Sequence, residues 1–300
     1  MNETRLGALA LAIVFAGAGC QVRRQTPSEA ASSAAGADAA APGQPPLAAP
    51  PDSLIPAGAL GASIRRGRAI LADTPDSLPN HVGNALRCTN CHLQTGTVAG
   101  AAPWIGVYSR FPQYRSRTGR VIVIEDRVND CLQRSLNGRA LDPASRAMRD
   151  IVSYFSFLSR GVAPPGEVAG QGFFPVPRLE PDTGAGRLVY ASTCSRCHGA
   201  DGEGMANTQQ NGLAPYYPPV WGPRSYNIGA GMARLWTAAS FVRHNMPADA
   251  PGTLTDQQAV DVAAYVVSRS RPDFRGKELD WPNGDPPPDV AYPVRSVRQR

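Results

Sequence analysis

Past residue 19 the 300-residue chain lacks any apolar run long enough to cross a bilayer, which argues against a membrane-spanning body. It also has almost no lysine: Lys277 is the only one, and arginine carries nearly all the positive charge. The formal charge of +6 is uneven. Residues 61–165 hold 14 Arg against 7 Asp or Glu, a net of +7, whereas residues 183–275 hold 8 against 6, a net of +2. A solvated surface is the plain explanation. Arginine forks in an exported chain otherwise argue against nucleic acid and for an anionic small substrate or an acidic protein partner.

Export is read from the N-terminus. Arg5 precedes an almost unbroken apolar stretch, Leu6 to Gly19, too short for a mature transmembrane helix but suited to a secretory signal. It ends in Gly17-Ala18-Gly19-Cys20, similar to a bacterial lipoprotein cleavage box, although an aliphatic residue is more usual where Gly17 stands. Residues 1–20 are therefore expected to be a signal peptide with Cys20 as lipid acceptor, cleavage of a soluble protein after Ala18 being the alternative. Residues 21–59 are mostly Ala, Pro, Gly and Ser and are expected to form a disordered tether. The expected location is the periplasm, lipid-anchored through Cys20 or soluble.

Cysteine is scarce and patterned. Of Cys20, Cys88, Cys91, Cys131, Cys194 and Cys197, four fall in Cys88-Thr89-Asn90-Cys91-His92 and Cys194-Ser195-Arg196-Cys197-His198. Each C-x-x-C-H places two thiols on one side of a helical turn, where they add to the vinyl groups of a haem. The following histidine then lies beneath the ring as proximal ligand. Zinc ribbons and disulfides are the alternatives. Neither requires a histidine after each pair, and zinc pairs seldom lie 106 residues apart in an exported chain. Two covalently bound haem c groups are expected, with Cys88, Cys91, His92, Cys194, Cys197 and His198 binding them.

The chain reads as two divergent copies of one unit. Amphipathic segments Ile64–Leu71 and Gly186–Ala191 precede the haem motifs. A closing helix follows each: one with Asp142 as N-cap, Pro143 in its first turn and a stripe of Met148, Ile151, Val152, Phe155 and Leu158, stopped at Gly161. The other has capping-box residues Thr255 and Gln258 and a stripe of Ala259, Ala263, Val266 and Val267. The expected fold is mainly α, with two class I cytochrome c domains in tandem: 60–165 and 183–275, joined by a Pro- and Gly-rich linker at 166–182. Residues 276–300 are expected to be an extended tail.

Each iron has a second axial position. In the second domain Met246-Pro247 lies 48 residues beyond His198, before the closing helix, where cytochromes c place a methionine ligand. His244, Met232 and Met205 are its rivals. The first domain has no comparable Met-Pro and offers His81, Met148 or Cys131, with Met148 better suited to core packing. Cys131 is an odd thiol on a short helix stopped by Asn137-Gly138, whose Val128, Leu132 and Leu136 should face the core. Arg127, Cys131 and Ser135 form the adjacent polar stripe, a setting that favours thiolate.

Residues 61–165 resemble di-haem, tetrathionate-forming thiosulfate dehydrogenases. The likeness rests on Leu78-Pro79-Asn80, Gly83-Asn84, the first haem motif with Leu93, the segment Val107–Arg115 and the Cys131 helix. The second domain and Asp280-Trp281-Pro282 are similar too. The resemblance implies that His92 and Cys131 ligate the first iron, and that Arg117, Arg127 and Ser135 act with Cys131 in catalysis. At the second haem, family members use lysine or methionine, and no lysine stands near Met246. Iron ligation is therefore expected from His92, Cys131, His198 and Met246. The implied reaction joins two thiosulfates into tetrathionate, reversibly or not, and passes electrons to a small cytochrome c or another redox protein. A di-haem carrier without its own substrate is the alternative. A haem-thiolate subunit of the thiosulfate-oxidising multienzyme system is a further one, disfavoured by the Tyr108–Arg115 match.

Overall fold

The computed structural model describes residues 46–206 and 216–294, all within one compact unit. The signal segment, Cys20 and the tether as far as residue 45 lie outside the described residues. Among the described residues no helix is long and apolar enough to cross a membrane.

In each half, a helix before the haem motif crosses the closing helix at a glycine. Helix α1 (Gly58–Ala72) packs on α3 (Arg146–Leu158), and α4 (Thr183–Val189) packs on α6 (Asp256–Val267). A Cβ on Gly67 would lie 1.9 Å from the Asp150 carbonyl oxygen, and one on Gly186 would lie 2.0 Å from that of Asp261. Only a hydrogen fits at either crossing, which is what lets the two backbones approach. Between the paired helices come α2 (Ile124–Arg134) in the first half and α5 (Leu235–Asn245) in the second. A short antiparallel ribbon of β1 (Gln113–Arg115) and β2 (Arg120–Ile122) leads into α2.

The stripes of the Cys131 helix and of α3 fold as their spacing predicts, and that of α6 does so only in part. Met148, Ile151, Phe155 and Leu158 are buried on α3, with Val152 half-buried. Leu132 and Leu136 are buried and Val128 packs against them. Thr255 and Gln258 form the reciprocal capping box of α6. Of the expected α6 stripe, Ala259 and Ala263 are buried whereas Val266 and Val267 are half-buried; Val260, Val262 and Ala264 complete the buried face.

Four expectations need correction. The N-cap of α3 is Ser145, whose Oγ accepts from Met148 N, whereas Asp142 accepts from Ala144 N in the preceding turn. The tether does not run loose to residue 59, because Ile55 enters the first core and Asp52 takes two 2.8 Å bonds from Arg68. The 166–182 linker is packed, with Val168 in the first core and Val176 in a core of the second half. The C-terminal segment is not a simple extended tail: Asp280, Trp281 and Tyr292 are buried. The halves also share a core, since Tyr226, Ala230 and Ala233 of the second half pack into the first-half cluster.

Candidate haem and anion site

Arg87 leads directly into the first haem motif, which folds as a tight turn. Cys88 N donates to Thr74 Oγ1 at 3.1 Å, and that hydroxyl donates to Cys88 Sγ at 3.3 Å. Both motif thiols are free, and burial pushes Cys88 and Cys91 up to about 12. His92 Nδ1 donates to the Ala102 carbonyl at 2.6 Å, which leaves Nε2 as the ring nitrogen available to iron. Burial lowers His92 to about 4, keeping it neutral as a ligand must be. Ala102 is itself held, its own N–H, in the preceding peptide group, donating to Gly172 O in the linker at 2.7 Å.

Cys88, Cys91, His92 and Cys131 line one largely apolar cavity of about 270 Å³, walled by Leu71, Trp104, Ile151, Phe155 and Leu132 among others. Two free thiols, an oriented imidazole and an apolar surround match the donor set of a covalently bound haem with a sulfur on its second face. The polar stripe of α2 reaches the same cavity: Arg127 Nη1 donates to Cys131 Sγ at 2.9 Å, and Ser135 lies on the wall. Charge on the Cys131 sulfur is the main influence that raises Arg127 above its ordinary value, against the cost of burial.

Arg117 is placed elsewhere. Its Nη1 donates to Gly229 O at 2.6 Å, its guanidinium lies 4.7 Å from the Trp281 ring centre, and it does not line the cavity. Arg110, Gln113 and Arg115 do line it, and so do Tyr226 and Met232 from the second half. From the sequence none of them had a place at this cavity: Arg110, Gln113 and Arg115 stood only in the segment that carries the resemblance, Met232 only as a rival ligand for the second iron, and Tyr226 nowhere. The arginine-rich stretch 110–120 was the available signal for the first group, but no local pattern announces the second.

In the second half, His198 Nδ1 donates to Pro218 O at 2.8 Å, repeating the arrangement at His92. Burial of Cys194 raises it to about 11, and the cysteine packs against the cluster of Tyr190, Trp221, Leu254 and Val262. Met246 follows α5, half-buried. Arg196, inside the haem motif, makes bonds of 2.9 and 2.7 Å to Asp249, tying the loop after Met246 to the motif. The rivals are engaged elsewhere or exposed. Met232 is on the first cavity, His244 faces Pro175 O and the Phe174 ring, and Met205 is exposed. In the first half Met148 is wholly buried in the core, and His81 bonds the carbonyls of Arg139 and Ala140.

Two family descriptions match this arrangement: "SoxA/TsdA, cytochrome c domain" over residues 82–163, and "Cytochrome C oxidase, cbb3-type, subunit III" over residues 181–266. A thiosulfate dehydrogenase of Psychrobacter arcticus is 47% identical over 261 residues, spanning 85% of this chain and 78% of that protein. One from Allochromatium vinosum is 48% identical over 237 residues, 76% of this chain and 86% of that protein. The chain belongs to the thiosulfate dehydrogenase family. A solved thiosulfate dehydrogenase (TsdBA) from Marichromatium purpuratum superposes with a TM-score of 0.67 at 35% identity. The match covers 76% of this chain and half the length of that one. As a thiosulfate dehydrogenase family member with two cytochrome c domains, the chain carries two covalently bound haem c groups, for which both motifs have the free thiols and oriented histidines.

Proposed function

We propose that this protein oxidises two thiosulfates to tetrathionate and passes two electrons onward. The observation that carries the reading is the Arg127–Cys131 pair, a thiol and a cation 2.9 Å apart, in the cavity that also holds His92. Haem c attached at the two motifs supplies iron that accepts one electron at a time, suiting a reaction that releases two.

The chain's residues supply the rest. His92 and Cys131 would hold the first iron, and His198 and Met246 the second. Two thiosulfate dianions near 4 Å repel by about 4 kcal/mol even at water's dielectric, and by more inside a protein. Arginine forks offset that repulsion and fit sulfonate oxygens two at a time. Arg127 and Ser135 stand one helical turn either side of Cys131, so a thiosulfate held there presents its outer sulfur to the Cys131 sulfur. Apolar walls exclude water and strengthen each charge contact. The external acceptor is a small cytochrome c or another redox protein. Export and lipid attachment at Cys20 complete the proposal.

Purified haem-loaded protein should reduce an artificial acceptor with thiosulfate and form tetrathionate at one per two electrons. Haem-loaded protein that accepts electrons from small reductants but not from thiosulfate would return it to the carrier reading. Cys20→Ala should move the protein from membranes to the soluble fraction; unacylated, soluble wild type would remove the anchor.

A further inference from the structure

We infer that Asn227, in the second half, is a positioning residue for Cys131: it closes the last turn of α2 and so sets where the thiol stands in the first haem cavity. This rests on the reading that Cys131 meets the first iron and takes part in thiosulfate oxidation.

A helix leaves its last carbonyls without partners inside itself, and buried ones must find them elsewhere. Cys131 is the fourth residue from the end of α2, so these carbonyls belong to its own turn. The Cys131 carbonyl accepts from Ser135 N and Leu136 N at 2.9 and 3.1 Å, and that of Leu132 accepts from Gly138 N at 2.9 Å. The chain turns away at Asn137, whose φ of 46° is left-handed. Gln133 and Arg134 are left over. Asn227 serves both, its Nδ2 donating to Gln133 O at 2.9 Å and its backbone N–H to Arg134 O at 3.2 Å.

Asn227 can hold the turn because it is itself fixed. It is 1% exposed, its Nδ2 also donates to Asn137 Oδ1 at 3.1 Å, and its Oδ1 accepts from Gly229 N at 3.0 Å. Every polar atom of the side chain is therefore paired within the chain, and neither Asn227 nor Gln133 nor Arg134 lines the haem cavity. Asn84 serves the next carbonyl, its Nδ2 donating to Ser135 O at 2.9 Å and to Ser225 O at 3.1 Å. The end of α2 is thus held between the loop before the first haem motif and residues 225–229 of the second half. Without the Asn227 amide the Gln133 carbonyl loses its donor, and the turn relaxes by fraying back to Cys131. A sulfur that must meet both iron and substrate tolerates little displacement, since a shift of about 1 Å can cost a hundredfold in rate. The first centre is therefore aligned only when both halves are in place.

The test compares haem-loaded wild type with Asn227→Asp, which keeps the shape and the acceptor but loses the amide donors. Asn227→Ser retains one donor and decides the matter if the Asp variant does not fold; Asn137→Gly removes only the outer acceptor. Electron paramagnetic resonance reads the thiolate, and iodoacetamide labelling with peptide mass spectrometry reads the exposure of Cys131. In Asn227→Asp the low-spin thiolate signal should fall by roughly half or more, labelling of Cys131 should quicken about tenfold, and kcat should drop about tenfold with little change in KM. Asn227→Ser should lie between the Asp variant and wild type, and Asn137→Gly should match wild type. The methionine band of the second haem should persist. A lowered Tm with thiolate signal, labelling and kcat all at wild-type level would overturn the proposal and leave Asn227 structural only. So would loss of the methionine band together with the thiolate signal, which marks general loosening. A wild type without thiolate signal would sink the ligand reading separately. Labelling then still reads the sulfur: a faster rate in Asn227→Asp would support its placement by Asn227, and an unchanged rate would sink that too.

Discussion

Arg134 and Asp280, 146 residues apart, are joined by two hydrogen bonds of 2.7 Å, with side chains only 9% and 3% exposed. The Tyr292 hydroxyl also donates to Asp280, and the Phe274 ring centre lies 4.1 Å from the Arg134 guanidinium carbon. Arg134 sits one turn beyond Asp130 on the helix that carries Cys131, so the C-terminal segment is fastened to that helix. Removing Asp280 leaves two buried Arg134 donors without an acceptor, while Arg134 Nε stays paired with Asp130. Asp280→Ala should therefore cost about 2–3 kcal/mol in denaturant unfolding, and replacing both partners with apolar residues should cost less. A loss below about 0.5 kcal/mol would mean the tail is not held by this pair.

Cys131→Ala should leave both haems attached, because Cys88, Cys91, Cys194 and Cys197 are untouched. Its low-spin thiolate signal should vanish in electron paramagnetic resonance, and thiosulfate turnover should fall by several orders of magnitude. Near wild-type turnover would make the thiol structural. Arg127→Ala should reduce kcat/KM roughly ten- to a hundredfold, the value of one charge-assisted contact of about 1.5–3 kcal/mol. Arg117→Ala should cost less in kcat/KM, since its guanidinium is engaged by Gly229 and Trp281.

At the second centre, Met246→Gly should abolish the near-infrared sulfur-to-iron band and lower one reduction potential, with both haems retained. Survival of the band would point to another methionine. Arg196→Ala should weaken the band's intensity or sharpen its temperature dependence, because Arg196 ties the loop after Met246 to the haem motif through Asp249.

The crossing of α1 and α3 links packing to pH. Asp150 accepts from Ser63 at 2.6 Å and from Arg66 at 2.7 and 2.8 Å. Burial opposes its ionisation, but these bonds prevail and hold it below the ordinary carboxylate value. Its contribution is complete above the unfolded value, near pH 4, and disappears as pH falls through the lower folded value. Asp150→Asn should flatten acid unfolding in that window and cost about 1–3 kcal/mol at pH 7. Gly67→Ala should lower Tm more, since the added carbon lands on the Asp150 carbonyl. An unchanged acid midpoint in Asp150→Asn would place the acid sensitivity elsewhere.

Local chemistry was legible in the sequence. The haem motifs have fixed spacing, and the stripes on α2, α3 and α6 follow from helical period, so Cys131 and Arg127 were found before the fold. Ser145 displaced Asp142 as cap because both are good acceptors near Pro143, and only backbone geometry decides between them. Contacts across the chain were illegible. Arg134 looks like a solvated helix residue until Asp280 arrives, and Met232 resembles a ligand for the nearer haem motif until it is found on the wall of the other cavity. Arg117 was carried over by motif position, while the direction of its side chain depends on Gly229 and Trp281, distant in sequence.

The packed linker makes the setting of His92 depend on the junction. His92 leans on the Ala102 carbonyl at 2.6 Å, and the Ala102 N–H leans in turn on Gly172 O at 2.7 Å. The second bond holds Ala102 in place, and with it the acceptor that orients the imidazole. Exchanging residues 166–182 for a flexible Gly-Ser segment of equal length would keep the halves tethered yet loosen that acceptor. The joint between the two halves thereby doubles as a brace for the histidine of one of them.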